Sequence, residues 1–158
     1  MDETRRELLR VENEEKELVF ESFGNEDAIN LGLAFLKTAR ERKLPITLDI
    51  ERSGQRLFHF AAPGTSIDNS NWIERKKNLV KTLFKSSYAV HLKLESEGRT
   101  LDQMYESPMG HFAAHGGCLP VVLKGTGFVG TITVSGLPQK EDHDLVVEVV
   151  RQYLGSAR

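Results

Sequence analysis

The stretch HGGCLPVVLKGTGFVGTITVSG, residues 115–136, decides the fold of this chain. Within it, Pro120–Lys124 and Phe128–Val134 are rich in apolar and β-branched residues and predict two strands. Gly125-Thr126-Gly127 separates them and predicts a tight turn, because glycine adopts backbone angles that other residues avoid. The stretch therefore predicts a β-hairpin, and hairpins build antiparallel sheets.

Glycines near the end of this hairpin allow two interpretations. Gly130 interrupts an alternating strand, where glycine often marks a bulge or the close approach of another group. Ser135 and Gly136 end the strand with a hydroxyl group and a residue of wide backbone freedom, which suits an edge that faces a ligand. Tight packing between the sheet and a helix explains the same residues, so the sequence leaves both interpretations open.

Further strands are predicted upstream of this hairpin. Ile46–Glu51 alternates apolar and polar residues, which predicts a strand with one face toward solvent. Ser53-Gly54 predicts a turn, and Arg56–Ala61 predicts the returning strand. Glu17–Glu21 suits one more short strand, which brings the predicted number to five.

Helical periodicity predicts four helices around these strands. They are expected over residues 1–16, from the cap at 24–27 to about Lys43, from about Asn71 to Lys93 with Asp68, Asn69 or Ser70 as cap, and from about Gln139 onward. This order predicts an α+β fold, an antiparallel five-stranded sheet flanked by helices, in one domain over residues 1–158. Residues 1–16 form an N-terminal helical extension, whose charge density favours a frayed surface helix over a docking contact.

Composition limits the classes of partner and compartment. The formal net charge of −2 argues against a nucleic-acid partner, because such binding requires neutralised phosphates. The single cysteine, Cys118, excludes an intrachain disulfide and suits a reducing compartment. A charged N-terminus argues against a secretory signal, and no apolar run approaches the roughly 20 residues that span a bilayer. We therefore expect a soluble, cytoplasmic protein without a membrane partner.

His111 and His115 are the first candidates for ligand contacts. If the segment between them is helical, their imidazoles share a face and offer donors to a transition metal or haem iron. Phe112 stands where a zinc protease carries its glutamate base, so that chemistry is not supported. His59 and His143 are candidates for a third ligand, and structural or surface histidines remain the default interpretation.

Other features have an ordinary explanation beside a functional one. Cys118 follows Gly116-Gly117, an open approach for a nucleophile, but a buried small residue at a strand entrance is favoured because nothing identifies an oriented base. Trp72 near a helix start is favoured as a core residue. Pro63–Ser66 precedes the same helix and offers an anion contact, although turn and cap chemistry is favoured.

Three lysines form a basic stripe on the predicted helix after Asn71. Lys77, Lys81 and Lys85 follow one another at spacings of four residues. They offer charge to an acidic partner or to the propionates of a ligand. The solvated face of an amphipathic helix is the favoured interpretation.

Two motifs resemble the haem-degrading family, which includes glycolate-locus (GlcG-like) proteins and the C-terminal domain of certain cobalamin adenosyltransferases. Gly116–Val121 is similar to its Gly-Gly-x-Pro-aliphatic motif, and Gly130–Gly136 to its Gly-x-aliphatic-x-Val-Ser-Gly motif, which the acidic run Glu141–Asp144 follows. Ala62–Ser66 and Asn71–Lys76 resemble a subfamily of small stand-alone proteins within this group. The resemblance covers about Leu18 to Leu154.

The resemblance implies a GlcG-like, profilin-like architecture, haem or tetrapyrrole binding, and assembly into a homo-oligomer. Our leading hypothesis is a small-molecule-binding protein with haem as candidate cofactor; the alternative is a non-enzymatic oligomeric adaptor or assembly protein. Whether a reaction is catalysed stays open. The pocket is expected between the loop after His111, the end of the second hairpin strand and the start of the helix near Asn71. Its candidate ligand-binding residues are Trp72, Arg75, His111, His115, Gly116, Gly117, Cys118, Ser135 and Gly136.

Overall fold

A computed structural model describes residues 2–104 and 110–157 of the chain. Four strands form one antiparallel sheet in the order β2-β1-β4-β3. The α+β class with helices flanking an antiparallel sheet is therefore confirmed. The helices are α1 (Glu3–Glu17), α2 (Asn25–Arg42), α3 (Ile67–Leu83), α4 (Ser87–Glu97), α5 (Leu101–Met104) and α6 (Gln139–Ala157), and the strands are β1 (Thr47–Arg52), β2 (Gln55–Ala61), β3 (Cys118–Leu123) and β4 (Gly127–Ser135).

The expectation of five strands is wrong. Helix α1 takes Glu17, the first residue of the predicted strand, and Leu18 is its C-cap. Only Phe20 meets the sheet, through an isolated parallel bridge to Leu123. The Phe20 N–H donates to the carbonyl of Val122 at 2.8 Å, and the Lys124 N–H donates back to Phe20 at 2.9 Å. The segment therefore caps the edge of β3 without forming a strand of its own.

One face of the sheet carries the main apolar core. Helices α2 and α6 cover this face, and the apolar residues of β1, β3 and β4 point into it. Buried members of the core are Leu31, Phe35, Ile46, Leu48, Ile50, Leu119, Val121, Ile132, Val134, Val146 and Val150. The alternation in β1 therefore places every second residue in this core, as the period of two residues predicts.

The opposite face of β1 is buried too. The prediction that this face of the strand meets solvent is therefore wrong. Asp49 and Glu51 are both buried beneath α3. The ammonium group of Lys77 lies 3.0 Å from a carboxylate oxygen of each. Lys81 adds a second contact to Glu51 at 2.6 Å. Lysines of the predicted solvated stripe thus hold the helix against the sheet, and within that stripe only Lys85 is exposed.

Helix α1 is docked rather than frayed. Val11 is buried against Tyr88, Ala89 and Leu92 of α4. A side-chain oxygen of Asp2 accepts a hydrogen bond from the Arg5 N–H at 2.9 Å and caps the helix. The N-terminal extension is therefore an integral layer of the described structure, in which Val11 and Leu8 pack within the chain while Leu9 is exposed.

The helix expected from about Asn71 to Lys93 is two helices. Ser66 caps α3 by accepting from the Asp68 N–H at 3.3 Å, which is the ordinary cap chemistry favoured for Pro63–Ser66. The helix stops at Phe84, whose φ of 59° lies in the left-handed region. Ser86 then caps α4 by accepting from the Ala89 N–H at 3.1 Å. The break turns α4 away from the sheet and toward α1.

Close backbone approach explains the hairpin glycines. A Cβ atom on Gly130 would overlap the carbonyl oxygen of Glu51 in the neighbouring strand, and one on Gly136 would overlap the carbonyl oxygen of Pro45. Gly136 also has a φ of 147°. The crowding thus comes from neighbouring backbone rather than from a helix. None of the helices in the described ranges is long and apolar enough to cross a membrane.

Candidate functional site

The loop from His111 to Gly117 crosses the start of α6 and the side of α3. The Ala113 N–H donates to the Arg75 carbonyl at 3.1 Å, and the Gly116 N–H donates to Oε1 of Gln139 at 3.0 Å. A Cβ atom on Gly116 would overlap the Gln139 carbonyl, so this approach requires glycine. The loop is therefore fixed against two helices.

His91 of α4 completes this anchor, and its tautomer follows from the contacts. Because Oε1 of Gln139 accepts from Gly116, the Gln139 amide nitrogen donates to Nε2 of His91, at 3.2 Å. Nδ1 of His91 then carries the proton and donates to the Ala114 carbonyl at 3.0 Å. Both nitrogens of His91 are engaged, so this imidazole positions the loop.

His115 presents the available imidazole of the site. Its ring meets Trp72 edge-on at 5.1 Å and stacks on His91 at 5.9 Å. Partial desolvation, together with the nearby His91, Lys76 and Arg75, lowers the pKa of His115 below the ordinary value of 6.5, although one side of the residue is exposed. Within the described residues, no hydrogen bond engages its ring nitrogens. A neutral imidazole with a free nitrogen is a good metal or haem ligand.

His111 does not share a face with His115. Residues 111–115 form no helix, so the spacing of four residues carries no geometric meaning here. His111 is exposed and its ring packs on Phe112 at 4.6 Å. His59 is also exposed, near Asp49 on the sheet, and so neither offers a third ligand beside His115.

His143 lies elsewhere, beneath α1. Its Nε2 is 3.1 Å from Glu14, and these two residues with Asp144 bring ligand atoms within 4.8 Å of one another. Arg10 already contacts both carboxylates, at 2.8 Å from Glu14 and 3.2 Å from Asp144. The cluster is therefore an ion-pair network that docks α1 onto α6.

A hollow of about 240 Å³, here called the inner hollow, lies between the starts of α3 and α6 and the end of β4. The structure brings four of the predicted site residues to it: Trp72, His115, Ser135 and Gly136. The other lining residues were not among the predicted site residues: Asp68, Asn69, Lys76, Leu137, Gln139 and Asp142. Residues far apart in the chain thus meet at one end of the sheet.

A buried ion pair forms the floor of the inner hollow. The ammonium of Lys76 lies 3.2 Å from Asp142 and donates to the Val134 carbonyl at 3.0 Å, with both charged side chains 3% exposed. Burial raises the pKa of Asp142 to about 6 and lowers the pKa of Lys76. Gly117 makes room for this pair, because a Cβ there would lie 2.7 Å from the Lys76 ammonium.

A second hollow of about 370 Å³, here called the outer hollow, adjoins the inner one at His115. Arg75 lines it and places its guanidinium 4.6 Å from the ring centre of Trp72, in a cation–π contact. Arg99 adds a second cation. Glu95 contributes an exposed carboxylate, beside His91 and Thr100. Apolar side chains from α4, α5 and the loop form the rest of the wall: Leu94, Leu101, Phe112, Ala113 and Ala114.

Cys118 lies in neither hollow. It is fully buried at the start of β3, where its sulfur accepts a hydrogen bond from Thr133 at 3.1 Å. Burial raises the pKa of its thiol to about 12. A thiol held in that state is a poor nucleophile, so the structural interpretation made from the sequence agrees with its surroundings.

Comparison of the chain with known proteins identifies its family. Residues 23–151 match the model of the family described as haem-degrading protein HbpS-like. The chain belongs to this family. It is 44% identical to a UPF0303 protein of Streptomyces coelicolor over 148 residues, 94% of each chain. It is 45% identical to a UPF0303 protein of Rhizobium meliloti over 150 residues, which are 95% of this chain and 92% of the relative.

Several solved structures share the fold. The Ybr137w protein superposes with a TM-score of 0.87 at 26% identity, over 96% of this chain and 90% of that one. PduOC in its complex with heme superposes with a TM-score of 0.68 at 15% identity, over 84% of this chain and 94% of that one. HbpS superposes with a TM-score of 0.63 at 18% identity, over 87% and 93%. The resemblance to the haem-degrading family found in the sequence is thereby confirmed.

Sequence reasoning missed Lys76, His91, Gln139 and Asp142. Lys76 and Asp142 stand in two motifs 66 residues apart, and nothing in the linear pattern pairs them. His91 was counted only within a long helix that the structure divides. The available signal was the second glycine of the Gly-Gly motif, since an obligatory glycine implies that another group approaches its backbone.

Proposed function

We propose that this chain binds a planar small molecule at His115, with haem as the first ligand to test. The observation that carries the proposal is the neutral imidazole of His115, which lies where the inner and outer hollows meet and has no hydrogen-bond partner among the described residues. Axial ligation of haem iron requires such a donor.

The residues around His115 fit the needs of haem. The outer hollow falls within the roughly 300–1,000 Å³ of ligand sites and has an apolar wall formed by Leu94, Leu101 and Phe112. Arg75 and Arg99 supply cations suited to propionate groups. Membership in the family, and a structural neighbour whose title names a complex with heme, support the same ligand.

The side chains have distinct tasks in this proposal. His115 would ligate the iron, while His91 and Gln139 hold the loop that carries it. Arg75 and Arg99 would orient the acidic edge of the macrocycle, and the apolar wall would exclude water from its face. If the macrocycle is degraded, haem iron and oxygen supply the oxidation chemistry.

Titration with haemin, followed at the Soret band, tests the proposal. A saturable shift is expected for the unmodified protein and for His111→Ala, because His111 is exposed and its side chain lines neither hollow. His115→Ala is expected to weaken binding by about tenfold or more, since it removes the axial donor. Equal titrations for the two variants, or no saturable shift in the unmodified protein, would refute it.

The adaptor hypothesis stays an alternative, with weaker support from the N-terminal helix. Val11 and Leu8 pack on α4 within the same chain, so these two side chains do not call for a partner. Assembly into a homo-oligomer stays a prediction, on the ground that the family resemblance implies it.

A further inference from the structure

The inner hollow is lined by hydrogen-bond donors that contacts within the chain use only in part. Lys76, Ser135 and Asn69 approach it from α3 and the end of β4. Gln139 lines it too, with its carbonyl oxygen engaged by Gly116 and one of its two amide N–H groups engaged by His91. Donors from α3, β4 and α6 therefore come together at this hollow.

Lys76 retains one donor. As an ammonium group it has three N–H bonds, and two of them point to the Val134 carbonyl and to Asp142. Both acceptors, on Val134 and Asp142, are buried, and the Lys76 side chain itself is 3% exposed. An incoming acceptor in the inner hollow would complete the coordination of this ammonium group.

Ser135 also has a free hydroxyl hydrogen. The Asn69 side-chain oxygen accepts from the Ser66 N–H at 2.9 Å, which leaves its amide nitrogen as donor. That nitrogen donates to the Ser135 hydroxyl oxygen at 3.4 Å. In the part of the chain that the structure describes, the Ser135 hydroxyl hydrogen has no acceptor, although Ser135 is buried.

The lining of the hollow carries charges of both signs, with the cation Lys76 and the carboxylates Asp68 and Asp142. Both carboxylate oxygens of Asp142 are occupied, one by Lys76 and one by the Leu137 N–H at 2.9 Å. Arg75 and Lys76 create a positive potential at His115, which is a cause of its lowered pKa. Asp68 opposes this potential from the rim, but it is exposed and screened by water.

We propose that the inner hollow is a binding site for a carboxylate group, held by Lys76, Ser135 and Asn69. Its volume of about 240 Å³ is below the range of drug-sized sites and suits a small acid or one acidic side chain. The carboxylate belongs either to a free small acid or to a propionate of the planar ligand at His115. The proposal shares the site of the proposed function but does not require iron.

Trp72 makes the inner hollow directly observable, because it is the single tryptophan of the chain and lines the hollow. We would titrate the protein with sodium propionate and with propionamide, its uncharged counterpart of similar shape, and record tryptophan fluorescence. Ser135→Ala removes one donor, and Ser96→Ala serves as the matched control because Ser96 lies outside the hollow. A second arm compares haemin with its dimethyl ester, in which both propionates are blocked.

The two sources give different results. For a free acid, propionate changes the fluorescence saturably, propionamide does not, and Ser135→Ala weakens propionate by about tenfold. For a propionate of the planar ligand, propionate alone has no effect, haemin binds about tenfold more tightly than its ester, and Ser135→Ala removes that difference. The proposal is overturned if neither the acid–amide pair nor the acid–ester pair is distinguished, or if Ser135→Ala leaves the observed difference unchanged, since Arg75 and Arg99 of the outer hollow would then account for it.

Two precautions keep the outcomes separate. Lys76→Met leaves Asp142 buried without its partner and is used only if its thermal unfolding matches that of the unmodified protein. Ser135→Ala removes only one hydroxyl group, so the test can be decided from this variant even if Lys76→Met is unstable. A haemin titration without a Soret shift contradicts the proposed function alone, because the propionate titration involves no iron.

Discussion

Docking of the N-terminal helix can be tested by removing the two methyl groups of Val11 from its contact with α4. Val11 is 0% exposed and packs among Tyr88, Ala89 and Leu92. Val11→Ala deletes two buried carbons, worth about 1.6 kcal/mol in transfer free energy at about 0.8 kcal/mol each. The cavity left behind brings the expected loss in the free energy of unfolding to about 2–3 kcal/mol. For a chain of this size, that loss lowers Tm by about 5–10 °C.

Leu9 provides the matched control on the same helix. It is 46% exposed, so Leu9→Ala is expected to change the free energy of unfolding by less than about 0.5 kcal/mol. Both variants would be followed by circular dichroism during thermal and urea unfolding. If Val11→Ala melts within error of Leu9→Ala, α1 is not packed as described, and the frayed interpretation returns.

Two smaller predictions concern single residues. Cys118 should not react with a thiol reagent in the folded protein at neutral pH and should react once urea unfolds it, because burial raises its thiol pKa to about 12; fast labelling of the native state would contradict this. Lys43 ends α2 with a φ of 54°, which glycine adopts without strain, so Lys43→Gly should raise the free energy of unfolding by about 1 kcal/mol. Lys37→Gly, inside the same helix, should lower it by a similar amount because glycine disfavours a helix interior. Thermal melts of the two variants should move in opposite directions.

Local patterns predicted the parts of the fold that depend on neighbours in sequence. The hairpin turn at Ser53-Gly54, the cap before Asn25 and the start of the last helix at Gln139 were all found where the residues indicated. Each depends on the backbone preferences of a few adjacent residues. The glycine-rich stretch 115–136 likewise folds as the hairpin that its pattern predicts.

The errors arose where distant residues decide. Alternation in β1 shows that two faces differ, but it does not show that α3 brings Lys77 to cover the polar face. The end of α3 at Phe84 has no glycine or proline to mark it. In the same way, the sequence placed Trp72, His115 and Ser135 at one site, while the Lys76–Asp142 pair that forms its floor depends on the assembled sheet.

The charged underside of β1 has a consequence for how the chain avoids misfolding. Because side chains alternate, a shift of β1 by one residue would turn Asp49 and Glu51 into the apolar core and expose Leu48 and Ile50 to the lysines of α3. The shifted register would bury two carboxylates without ion-pair partners, which is more unfavourable than the loss of a few apolar contacts. Asp49 and Glu51 therefore disfavour the shifted register, because the native register places both carboxylates beside Lys77.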